Sequence, residues 1–288
     1  MAIGLVVLGA MIAIYLSTSA SSRQSSAISL LNEDGAIALS IIGSQVRMAG
    51  FSLPRRDPSN ASATVGGVQV SVADRNFTGA GIRGCDNGFS NPLNASFDGL
   101  TCSNDATRPA AFAVRFEGAD GKTPIDPSAA LLPPATDCRN QSVARNEPGL
   151  ETDYPLVESR YELRASGGTP ELGCRGNGKT FEYQALTSNV EDMTVTYGVA
   201  ADGVSSDVQA DVDAATIEGF GGSVDQRWSR VVAVKVCLLM RTEQPQADAN
   251  TPYIDCKGEP QPSDDRRLRK AYSATFTLRN RSGFASTP

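Results

Sequence analysis

The chain opens on an uncharged apolar run, Met1 to Leu16 (MAIGLVVLGAMIAIYL), whose most polar side chain is Tyr15, and this run limits what can follow it. Such a segment is stable only in lipid or against other apolar surfaces. As a helix its 16 residues rise about 24 Å, short of a hydrocarbon core of roughly 30 Å, so a further apolar piece is expected upstream. A signal peptide cleaved near Thr18-Ser19-Ala20 is the alternative, but no basic stretch precedes the run. After the Ser-rich stretch Ser17 to Ser26 a helical period resumes. Ile28, Leu31, Ala38, Ile42 and Val46 fall near one stripe, widened by Leu39 and Ile41, while Asn32, Glu33, Asp34, Gln45 and Arg47 lie largely opposite. Gly50 suits the position just past a helix end, and Pro54 forbids continuation. The reading is one helix from about Ala2 to Ala49, roughly 70 Å long, greasy all round at its start and on one side at its end.

From Phe51 onward Gly, Ser, Thr, Asn, Asp and Pro separate short alternating segments, a β pattern. Candidate strands are Val65–Val72, Ala111–Glu117, Leu156–Leu163, Met193–Val199, Val231–Met240 and Ala271–Leu278. Three show one apolar face each: Phe112, Val114 and Phe116; Met193, Val195, Tyr197 and Val199; Tyr272, Ala274, Phe276 and Leu278. Val231–Met240 is different. Val232, Val234, Val236, Leu238 and Met240 make one face, and the other is apolar except for Lys235, which predicts a central strand. The stretches 73–110 and 118–154 show no strand pattern. These patterns together imply an α+β roll, in which the long N-terminal helix packs by its amphipathic half on an antiparallel β-sheet. Three parts follow: 1–27, the hydrophobic half of the helix; 28–50, its amphipathic half; and 51–288, a β-rich head.

The chemistry open to the chain is narrow. It has no histidine, which excludes Ser-His-Asp and Cys-His catalysis and HExxH zinc sites. With 26 basic and 32 acidic residues its net charge is −6, against a general nucleic-acid surface. The basic group Arg266, Arg267, Arg269, Lys270, Arg279 and Arg281 reads as solvated strand ends. Glu191 and Asp192 are adjacent in a strand and point to opposite faces, so they cannot converge on a substrate, and no enzyme is indicated. No cofactor and no metal ligand set is expected; Asp202, Asp207, Asp211 and Asp213 are too dispersed for an EF-hand loop. The six cysteines, Cys85, Cys102, Cys138, Cys174, Cys237 and Cys256, contain no CxxC pair and read as disulfides of an oxidising compartment. Pairing neighbours in sequence is the simplest scheme, with Cys237 to Cys256 the best candidate; other connectivities stay open.

Several segments in order resemble the PilW-type minor pilins of type IV pilus systems. LNEDGAIALSIIGSQVRMAGF (Leu31 to Phe51) is similar to that family's passage from helix to head. NVEDMTVTYGV (Asn189 to Val199), WSRVVAVKVCLLMRT (Trp228 to Thr242) and RRLRKAYSATFTLRNR (Arg266 to Arg281) resemble its later strands. The family's basic leader, Gly-Phe cleavage junction and early helix glutamate do not appear, since Met1 falls inside the apolar run. The resemblance implies a minor pilin that helps initiate a type IV pilus and sits near its tip. It implies contact with other minor pilins, the major pilin and a tip adhesin, and a path from the inner membrane, head in the periplasm, to the surface pilus. Ile3, Leu5, Val6, Val7, Leu8, Ile12 and Ile14 would meet membrane or neighbouring helices, and Ile28, Leu31, Ala38, Leu39, Ile42 and Val46 the head. A type II secretion pseudopilin and a membrane-tethered periplasmic binding module are the competing readings.

Overall fold

The computed structural model describes residues 2–52, 62–65, 68–71, 76–77, 79–93, 96–119, 134–145, 154–203, 205–247 and 249–280. Helix α1 runs Ala2–Val46, and its 45 residues give a rod of about 67 Å. A final tight turn follows, with Ala49 N–H bonded to the Val46 carbonyl and Gly50 at φ 75°, the left-handed backbone that glycine adopts without steric cost. The Gly50 amide then donates to the Arg115 carbonyl at 2.9 Å, which fixes the rod to the head where the chain leaves the helix.

Two antiparallel sheets form the head, where the patterns predicted one. The first orders β3 (Ile82–Cys85), β4 (Ala111–Glu117), β5 (Leu156–Ser166), β6 (Thr169–Gly176) and β7 (Tyr183–Ser188) in sequence. The second runs β13 (Arg269–Thr277), β10 (Val231–Arg241), β8 (Val190–Val199) and β9 (Ala210–Val212), so β10 is paired on both sides. Between β7 and β8 stands only Asn189, at φ 63°, a conformation Asn tolerates better than most residues. That one residue passes the chain from one sheet to the other. The predicted strand Val65–Val72 is instead two short strands, β1 (Ser62–Val65) and β2 (Val68–Ser71), paired antiparallel; Val72 lies outside the described residues. Short helices α2 (Ala214–Glu218) and α3 (Val224–Trp228) follow β9, and the strand pair β11 (Tyr253–Ile254) and β12 (Pro260–Gln261) follows β10.

The core lies where both sheets meet α1. Leu31, Ala38, Leu39, Ile42 and Val46 of the helix pack with Phe112, Tyr161 and Leu172 of the first sheet and Val195, Val236, Leu238 and Phe276 of the second. Ile28 is not part of this seam: it is 39% exposed, because the head ends below it and the packed stripe begins at Leu31. The rod approaches β13 through two glycines. The Tyr272 ring lies where a Cβ on Gly35 would stand, 2.7 Å from its nearest carbon, and the Phe276 ring covers Gly43 likewise. Aromatic knobs four residues apart on one face of a strand therefore seat in gaps eight residues apart on the helix.

Two face assignments change in the structure. Strand β4 is buried on both faces, since Phe112 and Val114 enter the main core while Ala111 and Ala113 join Cys85, Phe89, Phe97 and Leu100 in another. A bulge near the start of β10 shifts its register, so Val231 rather than Val232 joins the main core.

Candidate assembly surface

The first two-thirds of α1 stand clear of the head. Leu31 is the first helix residue in the core, and the described side chains before it are exposed or nearly so. Val7, Leu8, Met11, Ile12, Ile14, Tyr15 and Leu16 are all 48% exposed or more, reaching 72% at Tyr15. Nothing approaches a Cβ placed on Gly4 or Gly9. The side chains of Ile3, Leu5 and Val6 lie outside what the structure describes. Among the described residues no helix is long and apolar enough to cross a membrane. A rod with apolar side chains on every side is nonetheless a surface that water disfavours and that another apolar body must cover.

The head presents the opposite arrangement, in which charges are neutralised internally. Arg269 bridges Glu191 at 2.6 Å and Asp265 at 2.7 Å, and Arg241 reaches Glu191 from the neighbouring strand at 3.0 Å. Arg267 pairs with Asp265, and Lys270 donates to Asn32 of α1 at 2.9 Å. Much of the basic group near the C-terminal strand thus holds β13 to β8 and to the rod; Arg266 and Arg279 are exposed, and Arg281 lies outside the described residues. Glu191 and Asp192 do point apart, Glu191 to the arginines and Asp192 into a setting where burial raises its carboxyl above the ordinary value. Asp213 is the N-cap of α2, accepting from Thr216 N–H at 2.8 Å. No group of metal-ligating side chains gathers among the described residues.

Asp265 ties this cluster to pH. The hydrogen bond from Arg269 holds its carboxyl well below the usual range, outweighing a burial effect in the other direction. A carboxylate with a depressed folded pKa contributes stability that is complete above its unfolded value, about 3.9, and is lost as pH falls toward the folded one. The chain should therefore melt at a higher temperature than Asp265→Asn at pH 5, with the gap narrowing steadily toward pH 2. A gap constant across that range would show that Asp265 does not couple to folding.

Disulfides join Cys85 to Cys102, Cys138 to Cys174 and Cys237 to Cys256, and no cysteine is left free. The first fastens β3 to the 97–102 loop, the second fastens the 134–145 loop to β6, and the third ties the β11–β12 pair to the central strand.

Comparison with known proteins places part of this head. Residues 160–280, from within β5 past the end of β13, match the family model of PilW, type IV pilus-assembly protein W. Over these residues the chain is similar to PilW. The matched span contains the whole four-stranded sheet, α2, α3 and the Glu191–Arg269–Asp265 cluster; the helix passage Leu31 to Phe51 lies outside it. Among solved structures, the type IV-like pilin TTHA1219 from Thermus thermophilus matches with a TM-score of 0.38 and 12% identity, over 87% of this chain and 98% of that one. No curated protein matches significantly. The match relates this span of the head to a type IV pilus-assembly family.

Proposed function

We propose that the chain is a minor pilin that helps initiate assembly of a type IV pilus and is incorporated near its tip. One observation carries this reading: a PilW-type head is mounted on a rod whose free portion is apolar all round. Apolar area removed from water is worth about 25 cal/mol per Å², so such a rod rests first in the inner membrane and later against neighbouring pilin helices. Residues 1–27 make those contacts, 28–50 join rod to head, and 51–288 form a head that matures in the periplasm, where disulfides persist. The partners are other minor pilins, the major pilin and a tip adhesin.

The test is a strain in which the chromosomal copy carries Leu8→Glu and Ile12→Glu together. Both positions are remote from the head, so the head should fold as before, and an immunoblot of the membrane fraction checks that the protein still accumulates. Surface pili counted by electron microscopy should fall at least tenfold, with twitching lost. Unchanged pili would overturn the reading, and loss of secreted enzymes with pili intact would make the chain a type II secretion pseudopilin.

A further inference from the structure

The part of α1 that the head leaves uncovered is not uniformly polar. Leu30 is 61% exposed and Ile37 49% exposed, and with the half-exposed Ile41 they form a stripe roughly 100° round the helix from the buried Leu31, Ala38 and Ile42. Leu8, Ile12 and Leu16 extend the same stripe along the free rod. Two exposed charges sit within it: Arg23, the one charged residue in the first 32, and Asp34. Among the described residues neither has a hydrogen-bond or salt-bridge partner in its own chain.

Arg23 and Asp34 are 11 residues apart, about three helical turns and roughly 16 Å along the axis. That spacing keeps a face nearly unrotated. If a parallel helix of the same sequence lies along the stripe displaced by 11 residues, its Asp34 stands level with Arg23. The same displacement sets Ile41 against Leu30 on one side of the charges and Ala27 against Leu16 on the other. With no displacement, each charge would face its own kind.

Resting on the pilin reading, we propose that this outward stripe docks a second copy of the chain, parallel and staggered by 11 residues, with Arg23 of one copy paired to Asp34 of the other. Charge complementarity selects the stagger, and the apolar residues on either side supply the contact. An antiparallel pair would also bring Arg23 to Asp34, but it would set the two heads at opposite ends of the rod pair, which copies anchored in one membrane cannot do.

Because the six native cysteines are all paired, an added thiol reports contact without ambiguity. Two differently tagged full-length copies, one with Leu30→Cys and one with Ile41→Cys, should cross-link in piliated cells, with both charges of each copy in place. Copies that both carry Leu30→Cys should not. The charge tests use the same Leu30→Cys and Ile41→Cys reporter pair. Its link should drop at least fivefold when both copies carry Arg23→Asp, or both carry Asp34→Arg, and return when both copies carry the two swaps together. Links between identical positions would overturn the stagger, as would a link between Ala27→Cys and Leu30→Cys, which an antiparallel pair would bring together. Failure of the double swap to restore the reporter link would remove the role of the charges. Should the Leu8 and Ile12 strain lose its pili while no 30-to-41 link forms, the pilin reading stands and the staggered pair does not.

Discussion

Trp228→Ala should cost the protein about 3–5 kcal/mol, a large share of the roughly 5–15 kcal/mol that holds a domain folded. Trp228 ends α3 and is 1% exposed. Its ring meets Tyr197 of β8 edge-on at 5.2 Å, so truncation leaves a void between the second sheet and the short helices. Its indole N–H donates to Glu218 Oε1 at 2.7 Å, the same oxygen that accepts from Arg83 of β3, while Oε2 accepts from Arg227 at 2.8 Å. Burial raises the Glu218 carboxyl, but the hydrogen bonds from Trp228 and Arg83 outweigh it and hold it below its ordinary value. Two losses therefore coincide, the packing of the ring and one of the bonds that stabilise a half-buried carboxylate. Urea unfolding of the detergent-solubilised full chain separates them. Trp228→Phe keeps most of the volume and should lose only about 1–2 kcal/mol, the part due to the N–H. Equal losses in the two variants would mean that the bond to Glu218, not packing, makes this residue costly to change.

The same junction shows what the sequence conceals. Helices α2 and α3 have five residues each, too short for any hydrophobic period to emerge. Their caps were nonetheless written in the chain: Asp213 ahead of Thr216, and Ser223 with Gln226 three residues on, a reciprocal capping box that the structure forms. Long alternating strands behave differently. The predicted bounds of Ala111–Glu117 coincide with β4, and those of Val231–Met240 fall one residue short of β10, because a two-residue period sustained over seven or more residues fits a strand and little else. Strand β6 (TPELGCRG) carries no such signal, since proline, two glycines and two charges give it no period. Its arginine is held by a neighbouring strand instead, with Arg175 donating to Glu162 of β5 at 2.8 Å. Because β6 and β7 carry no period, the division of the head into two sheets is hidden, and the loop that buries the other face of β4 is hidden with it.

Arg115 illustrates that second limit. Alternation assigns it to a polar, outward face, yet its guanidinium lies 4.5 Å from the Phe77 ring centre and 4.3 Å from that of Phe97, and it donates to Asp98 Oδ1 at 3.0 Å. A loop far from the strand in sequence closes over that face and turns a surface arginine into a buried one. The rod was legible for the contrary reason: its packing partners lie on a single stripe of one continuous helix, so the period alone separates Ile42 from Ile37. What periodicity could not reveal at Ile28 is where the head ends.

Removal of the Cys138–Cys174 bond by paired alanine substitution should be the other severe lesion. Of the three disulfides it closes the longest loop, with a sequence separation of 36, against 17 and 19 for the others. In the chain-entropy account a loop of that length is worth about 4 kcal/mol, more than either shorter one. The segment it pins has little else to hold it: within 134–145 only Ala135 and Val143 are buried apolar residues, in a small cluster with Phe116 and Val157. Its other ties are polar: Asp137, 2% exposed, accepts from the amides of Arg139 and Gln141 and, just past β6, from Gly178, while the Cys138 amide donates to Ser159 and Arg139 donates to the Thr180 carbonyl. Cutting the covalent tie leaves these hydrogen bonds to hold the loop, and once the loop lifts, water reaches Cys174 and Tyr161 in the main core. The expectation is a midpoint in urea far below that of the intact chain, a larger drop than for the Cys237 and Cys256 pair treated the same way, and early proteolytic cleavage within 134–145 before global unfolding. If the two double variants unfold together, loop length is not what decides the worth of these bonds, and local packing around each cystine must be.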